Sequence, residues 1–209
     1  MKDEILKKFC SDEEMRPAMM NPFINGDFVC ATNGLIAIII SKSLAEKDYS
    51  QNPSLKLLEI LESTTLLDTP INISFKDFNF PKEPIYETID EERDCSYCNG
   101  TGECECMDCG AEHECGKCDG TGKVGRKIKT GKIIGEEISD QYRIKIGTTF
   151  FNPKYIAMLT DISEEWQLLS LAETQASLWQ SGDVKVLVMP LRYDETSKQY
   201  QVIEIKPTN

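Results

Sequence analysis

The chain has 209 residues, a formal net charge of −12 and an apolar fraction of 40%. This length suffices for one sizeable core with a small insert, or for two small domains of ordinary globular composition. The negative charge excludes a wholly basic nucleic-acid binder but leaves room for a local basic face. No apolar run reaches the length of a membrane span, and residues 1–4 do not open a signal peptide, so we expect a cytoplasmic protein without membrane contact.

The first part of the chain predicts a helix followed by a β-meander. Residues 3–14 carry apolar side chains on one helical side. Asn25-Gly26 and Asn33-Gly34 are signals for two-residue hairpins, because the central positions of these turns favour positive φ. The run 35–41 is apolar almost throughout, which predicts a strand buried on both faces.

The middle of the chain predicts a second helix, more strands and an irregular segment. Asn52-Pro53 is a helix start, with asparagine as the N-cap and proline at the first helical position. Residues 71–75 alternate apolar and polar side chains as a half-buried strand does. The acidic stretch 82–94 shows no periodicity and is interpreted as a connector. Strands are expected again near 128–134 and 142–146.

The last part predicts a third helix and a group of short strands. Asn152-Pro153 repeats the start signal of the second helix, and apolar side chains at helical spacing follow it. The strands expected after this helix are 166–171, 175–179, 184–189 and an edge strand at 200–205.

A duplicated cysteine motif is the strongest signal in the chain. Residues 95–102, CSYCNGTG, recur as 115–122, CGKCDGTG. Paired C-x-x-C knuckles suit a tetrahedral metal, and a site of four thiolates keeps no open position for a substrate. The cysteine count is odd and no export signal is recognised, so we expect bound zinc rather than disulfides. The outer ligands are Cys95, Cys98, Cys115 and Cys118.

Four more potential ligands lie between the two copies of the motif. They are Cys104, Cys106, Cys109 and His113, the single histidine of the chain. Eight ligands suggest two four-ligand sites, so two zinc ions are expected. The irregular spacing of the inner set leaves an alternative, in which these residues are spare ligands or a loop around one ion. The module has almost no apolar residues, and the metal must therefore supply its folding energy.

The C-x-x-C-x-G-x-G motif resembles the cysteine-rich zinc domain of DnaJ-type co-chaperones. That family carries four copies and binds two zinc ions, whereas this chain has two complete copies over about 28 residues. The His-Pro-Asp tripeptide of the family's J-domain does not occur here. The resemblance implies a shared fold for the insert. As an alternative function, it implies that the module binds proteins or unfolded polypeptide and is carried on an unrelated body.

Short motifs outside the insert resemble the bacterial DNA polymerase III beta sliding clamp. These motifs are Arg16–Asn21, Phe28–Gly34, Phe151–Ile156 and Val186–Arg192, in the order of that family. The resemblance implies an α+β fold with helices packed on antiparallel sheet. The clamp-like body would cover 1–90 and 123–209, with an inserted zinc-binding β-hairpin module at 91–122. Clamps form rings in DNA replication, and a chain of this length could encircle DNA only as a homo-oligomer.

The clamp resemblance further implies a hydrophobic pocket that takes short peptides from partner proteins. The matching positions are Thr32, Gly34, Ala37, Val188, Met189, Pro190 and Leu191. A groove lined by methionine and proline suits adaptable apolar docking, and the alternative is plain core packing. The histidine and arginine that follow the glycine in that family are Leu35 and Ile36 here.

No catalytic residues are predicted, and the chain is not expected to be an enzyme. The single histidine is assigned to metal, and no G-x-S-x-G, Walker-type glycine loop or H-E-x-x-H is present. A local basic strand offers contacts to DNA phosphates, and the alternative is a solvated hairpin that balances nearby acids. Its cations are Lys123, Arg126, Lys127, Lys129 and Lys132. The leading interpretation is a non-enzymatic zinc-binding accessory factor that docks a partner protein or associates with DNA.

Overall fold

The structure is a computed structural model that describes residues 1–52, 55–106, 110–192 and 200–207. The chain divides into two compact units. Met1–Pro81 and Ile138–Asn209 together form the first, here called the body, and Lys82–Glu137 form the second, here called the module. No helix in these ranges has the length and apolar character needed to cross a bilayer.

The described residues form mainly β-structure with three short α-helices. The helices are α1 (Asp3–Lys8), α2 (Leu57–Ser63) and α3 (Pro153–Thr160). The strands are β1 (Phe23–Asn25), β2 (Phe28–Thr32), β3 (Ile36–Ser41), β4 (Ile71–Ser74), β5 (Lys82–Asp94), β6 (Glu103–Glu105), β7 (Glu112–Glu114), β8 (Lys123–Ile138), β9 (Tyr142–Ile146), β10 (Thr149–Phe151), β11 (Glu165–Leu168), β12 (Ser177–Ser181), β13 (Val184–Val188) and β14 (Gln201–Glu204). The described residues contain both helices and strands, in agreement with the predicted α+β class, although strands predominate.

A seven-stranded antiparallel sheet forms the centre of the body. Its strand order is β1-β2-β3-β13-β12-β11-β4. At its middle β3 pairs with β13, with Ile38 opposite Val186, so that two segments distant in sequence meet there. A smaller sheet has the order β10-β9-β14, in which β14 is an edge strand parallel to β9.

The central sheet has apolar side chains on both faces. Ile36, Ile38 and Ile40 of β3 lie in the larger core, which also holds buried side chains of α1 and α3. Ala37 and Ile39 lie in a smaller core on the other face, together with Leu57 of α2. The expectation that this strand is buried on both faces is therefore confirmed.

Both glycine turns of the meander form hairpins as predicted. Asn25 pairs with Phe28, and Gly26 begins the two-residue loop between them with φ +59°. The next hairpin turns at Gly34, which has φ +90°. In each loop glycine occupies the first central position, because only that position takes positive φ here. Asn25 is thus the last residue of β1, and Asn33 directly follows β2, so that neither asparagine takes a central position of its turn.

The helix start at Asn152 is confirmed, whereas the one at Asn52 is wrong. The Asn152 side chain accepts a 2.9 Å hydrogen bond from the Lys154 N–H, as an N-cap does. Asn52 instead donates its backbone N–H to Ile24 and its side-chain amide to Ala18, which ties it to the edge of the sheet. The helix α2 begins five residues later, and Pro53 lies outside the described residues.

Two other predicted elements also differ from the structure. The first helix ends at Lys8 instead of continuing to residue 14, because the Ser11 N–H donates to the Met19 carbonyl and turns the chain. The stretch 82–94 is the strand β5 and not an irregular connector. It pairs with β8 in a two-stranded ribbon, and this ribbon carries the module boundary beyond the 91–122 expected from the cysteines.

The chain leaves the body and returns to it at adjacent points. The Ser139 N–H donates a 2.9 Å hydrogen bond to the carbonyl of Pro81. Residue 81 precedes β5, and residue 139 follows β8. Everything between them belongs to the module, except Ile138 at the end of β8, which packs against the larger core of the body.

A cluster of ionic contacts holds the first helix in place. Lys47 Nζ and Lys7 Nζ lie 2.9 and 3.2 Å from Asp3 Oδ2, and the Tyr49 hydroxyl donates to Asp3 Oδ1 at 2.9 Å. The Lys47 hydrogen bond is the main cause that lowers the pKa of Asp3 from 3.8 to about 2. A carboxylate with a lowered pKa stabilises the fold above its unfolded pKa, and this contribution disappears as the pH falls through the folded value.

We therefore expect the wild-type protein to lose more stability between about pH 4 and pH 2 than the Asp3→Asn variant does. The measurement is urea unfolding at each pH, followed by the fluorescence of Trp166 and Trp179, both of which lie in the body. Parallel pH dependence in the two proteins would contradict the assignment of this carboxylate.

Candidate metal centre and apolar pocket

Each cysteine knuckle is a tight turn closed by its own backbone. In the first knuckle, the Gly100 N–H donates to the Cys95 carbonyl at 3.0 Å. The Gly102 N–H donates to Cys98 Sγ at 3.3 Å, and the Thr101 hydroxyl donates to the Cys98 carbonyl at 2.7 Å. The second knuckle repeats these contacts twenty residues later, with Gly122 donating to Cys118 Sγ at 3.3 Å. The repeated sequence therefore folds into a repeated structure.

The two knuckles are locked to each other by reciprocal hydrogen bonds. The Cys95 N–H donates to the Gly122 carbonyl, and the Cys115 N–H donates to the Gly102 carbonyl, both at 2.8 Å. A Cβ on Gly102 would collide with the carbonyl oxygen of Gly120. Glycine is therefore required where the two turns cross, and the knuckle sequence is matched to this close approach.

The crossing brings four buried sulfur atoms together. The Sγ atoms of Cys95 and Cys115 are 3.9 Å apart, and those of Cys98 and Cys118 are 3.8 Å apart. All four lie within 4.8 Å of one another. Zinc–sulfur bonds of about 2.3 Å in a tetrahedron correspond to sulfur–sulfur distances of about 3.8 Å. The cluster can therefore hold a metal ion of this size, and the four residues are those predicted as the outer ligands.

The thiols of this cluster oppose one another's ionisation. Burial raises the pKa of Cys98, but the Gly102 N–H and the neighbouring thiols outweigh it and lower that pKa to about 6. Burial and the adjacent thiols raise the pKa of Cys118 to about 12. Once one thiolate has formed, the next buried negative charge is disfavoured. Complete ionisation therefore requires a cation at the centre of the cluster.

The predicted inner ligands do not converge within the described residues. Cys104 lies on β6 directly opposite His113 on β7, and Cys106 follows the same strand. His113 is exposed, and the outer four cysteines are the one group in the described part of the chain whose donor atoms are close enough to share an ion. Cys109 lies outside the described residues. A second zinc ion therefore stays a prediction.

None of the eight cysteines within the described ranges is in a disulfide. Cys10 and Cys30 lie in the body, and burial raises the pKa of their thiols to about 11 and about 12. These two thiols therefore stay protonated at neutral pH, in contrast to the lowered pKa of Cys98 in the module.

The body carries an open apolar pocket between α2 and the central sheet. Its volume is about 220 Å³. The lining consists of Met19, Thr32, Gly34, Leu35, Ile36, Ala37, Leu55, Lys56, Leu57, Ile60, Ala176, Leu187 and Met189. A neighbouring depression shares Ile60, Ala176 and Met189 with it, so the two adjoin beside α2.

Four of the seven residues predicted for peptide binding line this pocket, and three do not. Thr32, Gly34, Ala37 and Met189 are part of the lining. Val188 is fully buried in the larger core on the opposite face of the sheet. Pro190 and Leu191 follow the end of β13, and the Leu191 N–H donates to the Phe150 carbonyl. The wall contributed by α2 was missed from the sequence, although the apolar spacing of that helix was visible.

The predicted basic strand lies on β8, and acids of β5 neutralise part of it. Lys123 Nζ is 2.5 Å from Asp94 Oδ1, and Lys132 Nζ is 2.9 Å from Glu87 Oε1. Lys129 Nζ lies over the ring of Tyr86 at 5.2 Å from its centroid. The remaining cations of the run, Arg126 and Lys127, are exposed.

Comparison with protein-family models gave no match, and comparison with curated proteins gave none either. Among solved structures the chain is similar to the DNA polymerase sliding clamp from Bacillus subtilis, with 11% identity over 92% of this chain and 62% of that chain and a TM-score of 0.42. It is also similar to a putative DNA polymerase III beta subunit from Eubacterium rectale, with 11% identity, 91% and 63% coverage and a TM-score of 0.41. The beta subunit from Streptococcus pyogenes has 18% identity, 91% and 63% coverage and a TM-score of 0.36.

These three proteins are DNA polymerase sliding clamps or beta subunits, the family that the four short motifs of the body resemble. The chain spans a little under two thirds of their length.

We expect Gly102→Ala to weaken metal binding by at least about tenfold, because a left-handed residue with a Cβ is strained by about 1–3 kcal/mol and the collision with Gly120 adds to this. Gly116→Ala is the matched control in the same module, since no atom lies within 4 Å of its added Cβ. Competition with a zinc chelator measures the affinities. Equal affinities of the two variants would contradict the crossing of the knuckles.

Proposed function

We propose that the protein is a non-enzymatic docking factor whose inserted module is folded around a structural zinc ion. The zinc assignment is supported by the spacing of four sulfur atoms, which matches tetrahedral thiolate coordination. Four thiolates leave no coordination position open for a substrate, so the ion has a structural role. The ligands are Cys95, Cys98, Cys115 and Cys118.

The docking role rests on one observation, the open apolar pocket of the body. Exposed apolar concavities are sites where proteins take up apolar side chains of a partner. The pocket and the depression adjoin beside α2, an arrangement that suits an extended segment with two apolar anchors. The occupant that we propose is therefore a short linear segment of a partner protein.

Charges at the rim of the pocket define this segment further. Lys56 lines the pocket, and the Arg16 guanidinium donates to the Asn33 carbonyl beside Gly34. Their carboxylate neighbours belong to exposed pairs on the protein surface, which contribute little to stability and are readily exchanged. A partner segment with an acidic residue beside its apolar anchors is complementary to this rim in an otherwise acidic chain.

Removal of zinc is expected to unfold the module and to leave the body folded. The apolar interior of the module consists of the four cysteines with Cys104 and Val124, whereas the body has two cores of aliphatic and aromatic side chains. The measurement combines the zinc content of the reduced protein with limited proteolysis before and after chelation, and cleavage should appear only within Lys82–Glu137.

The variant Cys98→Ser should reproduce the effect of chelation, while Cys10→Ser in the body should not. Purified reduced protein without bound metal would refute the zinc assignment. A chelated protein in which the module resists cleavage as before would refute the structural role of the ion.

The docking role is tested with Ile60→Asp, which places a charge at the pocket, and with Leu66→Asp as the matched control outside it. Both side chains are exposed, by 46% and 61%, so neither change should affect the core. The probe is a labelled peptide selected on the wild-type protein from a random displayed library. We expect Ile60→Asp to weaken its binding by at least about tenfold, or about 1.4 kcal/mol, with little change for Leu66→Asp.

Equal loss in the two variants would contradict docking at this pocket. A library that yields no peptide with apolar anchors would also contradict docking at this pocket. Fluorescence polarisation of the labelled peptide gives the affinities in both cases.

The other functions considered from the sequence remain predictions. Association with DNA through β8 is weakened as a hypothesis, because acids of β5 pair with two of its five cations. Salt-dependent binding of duplex DNA that is lost when Arg126 and Lys127 are neutralised would restore it. Binding of unfolded polypeptide by the module, the formation of a homo-oligomer and a cytoplasmic location are likewise open to direct measurement.

A further inference from the structure

Two residues at equivalent positions of the repeat pack against the metal-binding thiols. Cys104 follows the first knuckle as Val124 follows the second, at the same offset of twenty residues that relates Cys95 to Cys115. Both side chains are in contact with the cluster of four buried cysteines. One flank of the site therefore carries a valine, and the other carries a fifth thiol.

The ladder between β6 and β7 directs this fifth thiol toward one particular ligand. Cys104 lies opposite His113, and Cys115 follows two residues later, so its side chain is on the same side of the hairpin. The Cys115 N–H is held by the carbonyl of Gly102 in continuation of this ladder. Cys104 and Cys115 are therefore diagonal neighbours on one side of the hairpin, and Cys104 packs against the cysteine cluster.

We propose that Cys104 is a reserve ligand of the four-cysteine metal site and takes the place of Cys115 in the coordination sphere. In the exchange, the Cys104 thiol gives its proton to solvent and its sulfur forms a bond to the ion. The bond between Cys115 and the ion breaks, and the released thiolate takes up a proton from solvent. No electron is transferred, and the charge of the site is unchanged.

The exchange is confined to one knuckle. Val124, the counterpart of Cys104, has no atom that can bind a metal, so the ligand Cys95 has no substitute. The site is thus asymmetric in chemistry although it is symmetric in backbone. This inference rests on the proposed zinc site, and the difference between the two knuckles is what separates its test from the test of that site.

The experiment compares the loss of each equivalent ligand, with cobalt(II) as a spectroscopic probe and zinc competition for affinity. Cys115→Ser should retain a tetrahedral four-thiolate cobalt spectrum and lose less than about tenfold in affinity. Cys95→Ser should lose that spectrum and more than about a hundredfold, which exceeds the usual effect of removing an outer-shell partner. The double variant Cys115→Ser/Cys104→Val should behave like Cys95→Ser.

Two further variants complete the comparison. Cys95→Ser/Val124→Cys adds a thiol at the equivalent position of the other flank and should recover the four-thiolate spectrum. Cys104→Val alone makes the flanks identical, and it should keep the metal content of the wild type. Each protein is the full chain, and the fluorescence of Trp166 and Trp179 shows that its body is folded.

The outcomes separate the two proposals. Wild-type protein that binds neither cobalt nor zinc overturns the metal site and the reserve ligand together. A wild type that binds metal, with equal losses in Cys115→Ser and Cys95→Ser, overturns the reserve ligand alone. Loss of one metal ion per chain in Cys104→Val also overturns it, because Cys104 would then belong to a second site.

Discussion

Repulsion among four sulfur atoms is the constraint on which the module depends. The reciprocal hydrogen bonds of the two knuckles hold these atoms at 3.8 and 3.9 Å across the cluster, where the charge of one thiolate opposes that of the next. Glycine at the crossing removes the steric obstacle, but it does not remove the electrostatic one. A divalent cation would do so, and under the proposal of a structural zinc ion the folding of the module and metal binding are a single equilibrium.

The body depends on apolar cover of its central sheet, and its pocket results from incomplete cover on one face. The central sheet needs cover on both faces, since β3 and β13 carry apolar side chains on each. The larger core receives α1, α3 and the smaller sheet, whereas in the described part of the chain the helix on the other face is α2, which has seven residues and one buried side chain, Leu57. A cover this short leaves apolar surface of the sheet accessible beside Ile60 and Met189. The pocket is the uncovered part of the smaller core.

The sequence predicted the elements whose formation depends on neighbouring residues alone. The positive φ required of Gly26 and Gly34 predicts their hairpins, and the cap of Asn152 predicts α3. The strand β5 was missed because its acidic residues have no periodicity; its partner β8, about thirty residues later, supplies both the hydrogen bonds and the compensating cations.

The candidate metal site and the pocket also differ in how far the sequence predicts them. The four candidate ligands follow from a repeat that is visible in the sequence, because each knuckle is a local turn. The pocket depends on which face each residue of β13 presents, and a strand that is apolar throughout does not reveal this. Val188 was assigned to the pocket and lies in the opposite core, while Leu187, its neighbour, lines the pocket.

The hydrogen bond between Ser139 and Pro81 has a consequence for how such a chain is built. Because the path out of the body and the path back are adjacent, a short turn of a few residues is long enough to join them, and the entropy of closing so small a loop is modest. The body can therefore be specified by a continuous polypeptide that omits the cysteine-rich segment altogether. Conversely, any self-contained unit whose two ends lie side by side can be grafted at this point without altering the strand order of the seven-stranded sheet.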